Sequence, residues 1–230
     1  MKTIGLLGGM SWESTVEYYR LINEGIKSKL SGLHSAQIAM YSVDFEPIEQ
    51  LQKSGDWESS GEILADAAKK IESAGADFLL ICTNTMHKVA QQIEAAIQIP
   101  LIHIADATAE ELIKNNMQSV GLLGTVFTME QDFYKGRLQD KFGLNVVIPE
   151  KADREIVHKV IYQELCLGNV QTNSRNEYLR IIKDLSEQGA QAVVLGCTEI
   201  GILVKQSDTE IKLLDTTAIH AQKAVEMAIS

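Results

Sequence analysis

Two short apolar runs in this 230-residue chain end in side chains able to bind an anion or handle a proton. The run Phe78 to Cys82 leads into Thr83, Asn84, Thr85, Met86 and His87, and the run Ala192 to Gly196 leads into Cys197, Thr198 and Glu199. Gly75 and Gly189, like Thr83 and Cys197, lie 114 residues apart, and Ala68 to Ile71 faces Ile182 to Leu185 at the same offset. A thiol just before a helix start has its pKa lowered from about 8.5, which suits Cys197 to act as a base or a nucleophile. Strand side chains alternate between faces, so Cys82 is expected to point away from Thr83 into the packing. A repeated strand end with Thr83 in one copy and Cys197 in the other suggests two half-sites facing one substrate.

The elements that must hold these residues read as an alternation of buried strands and amphipathic helices. Strands are expected at Thr3–Leu7, Ala36–Val43, Phe78–Cys82, Leu101–Ile104, Val120–Thr125, Val146–Ile148, the run before Cys197, and Lys212–Leu214. Helices are expected at Ser14–Leu30, Ser59–Ser73, Asn84–Ala96, Asp106–Asn115, Met129–Phe142, Asp153–Leu167, Ser174–Gln188 and Ala218–Ile229. The run Ile4 to Gly9 returns as Val120 to Thr125, so the first half of the pattern restarts in the second. This is an α/β chain of two similar lobes, each a parallel sheet covered by helices. The expected division is 1–98 plus 212–230 for one lobe and 99–211 for the other.

Ligands of open parallel sheets sit outside the carboxyl ends of the strands. Four such ends carry small polar or thiol residues: Met10 with Ser11, Thr83 to Thr85, Thr125 to Thr128, and Cys197 to Glu199. Each is expected to open a helix, whose free N–H groups favour a carboxylate. The glycines of Gly5 to Gly9 do not have the GxGxxG spacing of a dinucleotide site, and no Gly-Lys-Ser/Thr is present. Net charge of −10 argues against nucleic acid as a partner. Three cysteines, Cys82, Cys166 and Cys197, lie at no metal-ligand spacing. The glycine-broken first run is expected to be a strand rather than a signal peptide, no run approaches a membrane span, and free thiols point to the cytoplasm.

At these residues the chain resembles the aspartate/glutamate racemase family of cofactor-independent amino-acid racemases. The matching pieces are Gly8 to Ser11, Thr83 to His87, Gly121 to Thr125 and Gly196 to Glu199, in the family's order along almost the whole chain. The resemblance implies two α/β lobes with a small amino-acid substrate in the cleft between them, a homodimer, and no cofactor or metal. It also implies two proton-carrying residues on opposite faces of the substrate α-carbon.

The family pattern there is Cys-Asn-Thr-x-His, and Thr83 stands in place of its cysteine. Cys197 is then expected to take the proton of an L-amino acid and Thr83 to return one from the other face, which favours L-substrates as starting material over D-amino acids. Asn84, Thr85 and Thr198 would hold the α-carboxylate, with Met10, Ser11, Thr125 and Thr128 at the neighbouring strand ends, and Glu199 or His87 orienting partners. Aspartate-specific members carry an arginine after the second strand and a lysine before the glycine corresponding to Gly168. Here Phe45 to Gln52 holds no arginine and Cys166 takes the lysine position, which leaves Gln52 as a hydrogen-bond donor. L-aspartate and L-glutamate are the first expectation, with neutral polar amino acids such as homoserine beside them. The alternatives are a non-catalytic amino-acid-binding protein of the same fold and a relative of the maleate isomerases or hydantoin racemases.

Overall fold

Every position of the first strand, β1 (Ile4–Gly8), is buried, as a strand covered on both faces must be. The structure is a computed structural model that describes residues 1–230. From β1 the chain passes through α1 (Trp12–Leu30), β2 (Ile38–Ser42), α2 (Phe45–Ser54), α3 (Trp57–Ser73), β3 (Phe78–Ile81) and α4 (Ala90–Glu94). The three strands pair in parallel in the order β2-β1-β3, with Ile4 opposite both Ile38 and Phe78. Alternation of side chains sends Ile4 and Leu6 to one face, against Tyr18, Ile22 and Ile26 of α1. It sends Leu7 to the other, against Leu64, Ala68 and Ile71 of α3. The helices begin where side chains cap them: Ser11 accepts from the Ser14 N–H, Asp44 from that of Glu46 and Asp56 from that of Ser59.

The next stretch contains α5 (Ile104–Lys114), β4 (Ser119–Gly124), α6 (Val126–Glu130), β5 (Asn145–Val147), α7 (Lys151–Gln163), α8 (Thr172–Glu187), β6 (Ala192–Gly196), α9 (Ile200–Leu203), β7 (Leu213–Asp215) and α10 (Thr216–Ile229). Its sheet is parallel in the order β5-β4-β6-β7, so β5-β4-β6 repeats the β2-β1-β3 arrangement. The duplication extends to individual contacts. A Cβ on Gly5 would lie 2.7 Å from Ile71 of α3, and one on Gly121 3.0 Å from Leu185 of α8. In each sheet the missing side chain lets the covering helix approach the first of its repeated strands.

The chain divides into two compact units, Met1–Ile104 with His220–Ser230, and Ala105–Ile219. Both boundaries differ from the expected 98/99 and 211/212, for reasons of pairing. Leu101 bridges in parallel to Leu79, so this segment belongs with the first sheet. Strand β7 pairs with β6, Val193 opposite Leu213, so residues 212–219 belong with the second. From His220 onward α10 joins the first unit, where Ala221, Ala224 and Val225 pack against β1 and α1 residues.

Three elements also differ from expectation. The strand expected at Leu101–Ile104 is a single bridge, because α5 already starts at Ile104. The helix expected at Met129–Phe142 breaks after Glu130 and resumes as one wide turn at Arg137–Lys141, where Asp106 receives the Arg137 guanidinium and the Lys141 ammonium. The helix expected from Asn84 is a tight turn at Thr85–Val89 followed by the short α4. No helix is long and apolar enough to cross a membrane.

A polar chain through two buried side chains closes the first unit. His220 lies 2.7 Å from the Tyr18 hydroxyl through Nδ1, and 2.7 Å from the Ile102 carbonyl through Nε2. A carbonyl can only accept, so Nε2 carries the proton and Nδ1 accepts from Tyr18. Burial, with His87 adding to it, lowers the His220 pKa from 6.5 to about 3. Below pH 6.5 the unfolded chain therefore binds a proton that the folded chain refuses. The stability present above 6.5 drains away at about 1.4 kcal/mol per pH unit as pH falls towards 3. Denaturant titrations between pH 7 and 4 are expected to show this slope in the wild type, and a shallower one in His220→Gln, which keeps a donor for Ile102 without the titrating ring.

Candidate functional site

In the first unit the site residues gather at the ends of β1 and β3, which pairing holds side by side. The β1 end turns at Gly9, whose φ of +97° and close approach to the Val43 carbonyl leave room for no side chain. Thr15 closes this turn by accepting from the Gly9 N–H at 2.8 Å and donating to the Ser11 carbonyl at 3.1 Å. Met10 is buried in the core and Ser11 caps α1, so both residues have a plain structural task. The two turns are joined by the Ser14 hydroxyl, which donates to the Cys82 carbonyl at 2.7 Å.

Beyond β3 the backbone is fixed one carbonyl at a time. Ser14 Oγ holds that of Cys82, His87 Nδ1 that of Thr83 at 2.8 Å, and the His87 N–H that of Asn84 at 3.1 Å. A trans peptide is planar, with its N–H opposite its C=O. The amides of Thr83, Asn84 and Thr85 therefore point away from Ser14 and His87, a run of successive N–H groups of the kind that binds anions. The tight turn here is too short for a helix dipole to matter, so local bonding supplies what the sequence reading assigned to a helix start. Cys82 is fully buried in the core, as expected, and burial pushes its thiol pKa up. Thr83 is half-buried. Gln52, on α2, reaches the same turn, with Nε2 2.9 Å from the Met86 sulfur.

In the second unit the ends of β4 and β6 are paired, Gly124 opposite Gly196. A Cβ on Gly124 would stand 2.9 Å from the Gly196 carbonyl, so these strand ends approach as only glycine permits. Thr125 caps α6, accepting from the Thr128 N–H at 3.3 Å, with the two hydroxyls 3.2 Å apart. Beside them Cys197 donates its thiol proton to Glu199 Oε2 at 3.0 Å. Thr198 and Glu199 are buried, while Cys197 is half-buried.

Cys166 lies in a tight turn, Leu165–Leu167, that ends at Gly168 with φ of +74°. Together with Glu164, Cys166 and Cys197 raise the pKa of buried Tyr178 well above its usual value, though burial is the larger cause. The second unit thus brings Cys166, Gly168, Cys197, Thr198 and Glu199 to one neighbourhood, with Thr125 and Thr128 on the adjacent strand end. No group of three or more His, Cys, Asp or Glu is arranged to hold a metal ion.

One expectation is reversed. The Cys197 pKa is raised well above the usual thiol value, because burial, the Glu199 carboxylate and then Cys166 all oppose a thiolate. The helix after it, α9, has only four residues and cannot offset them. Sequence reading also missed Ser14, Glu164 and Tyr178, whose roles appear only through remote partners. Ser14 bonds a carbonyl 68 residues away, and Glu164 receives the Ser174 hydroxyl at 2.6 Å.

Residues 7–224 match the Asp/Glu/Hydantoin racemase family. The crystal structure of a proposed Asp/Glu racemase from Yersinia pestis is similar, with 53% identity, a TM-score of 0.94 and 100% of both chains covered. So is that of an aspartate racemase homologue from Pyrococcus horikoshii OT3, with 35% identity, a TM-score of 0.86 and 100% of both chains covered. The broad specificity amino-acid racemase RacX of Bacillus subtilis (strain 168) is 25% identical over 177 residues, which cover 74% of this chain and 73% of that protein.

The thiol–carboxylate pair makes a direct prediction. Alkylation of Cys197 by iodoacetamide, followed by mass spectrometry against pH, is expected to rise only above pH 9.0. In Glu199→Gln, where the facing charge is gone, the rise is expected to move to lower pH.

Proposed function

The chain belongs to the Asp/Glu/hydantoin racemase family, and from that premise we propose that it racemises an amino acid by removing and returning the α-proton without a cofactor. The observation that carries the reading is the Cys197 thiol hydrogen-bonded to Glu199 at one repeated strand end, with Thr83 and its ordered amides at the other. In this reading the Thr83 to Thr85 amides and the Asn84, Thr85 and Thr198 side chains bind the α-carboxylate. They also stabilise the charge that builds up as the α-carbon loses its proton.

At rest Cys197 is a thiol, since its surroundings oppose the thiolate. Glu199 is placed to take the thiol proton at 3.0 Å, after which the sulfur removes the α-proton of an L-amino acid. Thr83 then returns a proton from the opposite face. A neutral hydroxyl has a proton to give to a carbanion, the resulting alkoxide recovering one from water, but it is too weak a base to take an α-proton, so the Thr83 side protonates a carbanion better than it deprotonates a substrate. Enantiomers have equal free energy, which forces kcat/KM to be equal in the two directions. The asymmetry must appear as kcat and KM shifted together, and as exchange of the L-substrate α-hydrogen that outruns inversion.

L-aspartate and L-glutamate are the first substrates proposed, followed by neutral polar amino acids such as homoserine. Gln52 beside Met86 is the donor in a stretch, Phe45 to Gln52, that has no arginine, and Cys166 stands where acid-specific members have a lysine. A homodimer in the cytoplasm belongs to the same proposal.

Incubating the protein with a panel of L- and D-amino acids in heavy water, then separating enantiomers by chiral chromatography with mass detection, tests it. Deuterium incorporation from L-substrates, with slower appearance of the D-form, is expected. Cys197→Ala should lose the exchange, and Thr83→Cys should raise kcat from D-substrates by at least about tenfold, the scale of a general acid–base contribution. Tight ligand binding with no exchange in any member of the panel would sink the enzyme reading.

A further inference from the structure

We propose that His87 is a positioning residue for the Thr83 side of the reaction: it acts as a neutral brace between the Thr83 carbonyl and the backbone at Ile104, and takes no proton itself. This rests on the racemase reading for its kinetic consequence, though not for its geometry. His87 is 2% exposed. Its Nδ1 is 2.8 Å from the Thr83 carbonyl, which can only accept, so Nδ1 carries the proton. Its Nε2 is 3.2 Å from the Ile104 N–H, which can only donate, so Nε2 offers its lone pair. Those two bonds require the neutral Nδ1–H tautomer and occupy both ring nitrogens. A ring committed in this way has no proton to trade with a substrate.

The other end of the brace is well anchored. Ile104 is the first residue of α5 and the last of the first unit's leading segment, so His87 ties the site turn to the point where the chain leaves that unit. Two residues earlier the Ile102 carbonyl is held by His220, the residue at which the chain returns to the unit. The His87 ring lies 4.5 Å from that of His103 and 5.9 Å from that of His220, centre to centre. Three buried imidazoles therefore pack around residues 102–104, and the Thr83 peptide hangs from one of them.

The Thr83 carbonyl and hydroxyl belong to one residue, so the bond that pins the carbonyl also restrains the Cα that carries the hydroxyl. Releasing the carbonyl lets residue 83 shift. A displacement of the hydroxyl by about 1 Å costs a proton transfer about 100-fold. The Cys197 half of the reaction feels this bond only through the Asn84 amide, one of several groups proposed to hold the α-carboxylate, and saturating substrate offsets that loss. Loss of the brace should therefore slow inversion at saturating substrate far more than it slows α-hydrogen exchange from the L-form.

Two amide substitutions separate the bonds. In His87→Asn the side-chain NH2 falls where Nδ1 stood and can still hold the Thr83 carbonyl. In His87→Gln the side-chain oxygen falls where Nε2 stood and can accept from Ile104, leaving Thr83 released. Both rates are measured at saturating L-substrate in heavy water. The expected result is inversion lowered about 100-fold in His87→Gln with exchange within about threefold of wild type, and inversion rescued to within about tenfold in His87→Asn. Equal loss of both rates in His87→Gln, unchanged inversion, or failure of His87→Asn to rescue would each overturn the proposal.

Long-range 1H–15N spectra of the wild type provide a readout independent of activity. A neutral Nδ1–H ring at His87 is expected, and an Nε2–H or doubly protonated ring would overturn the brace even if neither variant folds. A wild type that neither exchanges nor inverts any substrate would defeat the racemase reading alone. The ring tautomer, with Thr83 to Thr85 amide shifts that move in His87→Gln and stay in His87→Asn, would then decide the brace.

Discussion

Parallel pairing of the repeated strands, β1 with β3 and β4 with β6, is the constraint on which the candidate site depends, because it forces the carboxyl ends of distant segments to lie side by side. Residues some 70 positions apart in sequence become neighbours only through these ladders. The glycines at the strand ends make the approach close: a side chain at Gly124 would collide with the backbone of β6, and one at Gly8 with Thr15. Once the ends are adjacent, their polar groups bond each other. Ser14 at the start of α1 then completes the turn after β3.

The two repeated strand ends solve different problems. Around Thr83 the protein invests in backbone orientation, with each of three successive carbonyls tied to a donor, which fixes the planes of the three amides that follow. Around Cys197 it invests in electrostatics. Burial and the Glu199 carboxylate keep the sulfur protonated, so the thiolate is a high-energy form that appears only when its proton has somewhere to go. A sulfur held in that way is a stronger base once formed than one whose pKa is lowered, and Glu199 both adds to the elevation that burial begins and accepts the thiol hydrogen bond.

Much of the Thr83 strand end was legible because its requirements are local. Cys82 had to face the core by strand alternation, and it does. Gly9 and Gly168 sit at positive φ, which a glycine adopts without strain. The expected fold class holds, since continuous apolar strands alternating with amphipathic helices leave few alternatives to covered parallel sheets. Element boundaries were less legible where a tertiary partner decided them. The Asp106 carboxylate holds the wide turn at Arg137–Lys141, and no periodicity within residues 129–142 announces it.

What the sequence by itself determined was the set of repeated strands, their polar ends and the duplication that matches Ile71 with Leu185, because each follows from periodicity and residue type within a few positions. Only the tertiary structure decided the protonation of the site. A thiol at a strand end reads as activated when judged by the helix that follows it. Its pKa is set by what surrounds it in space, a buried setting and a carboxylate 3.0 Å away, and burial is a property no short stretch of sequence contains. The same holds for His87, whose tautomer depends on the Ile104 amide 17 residues further along the chain.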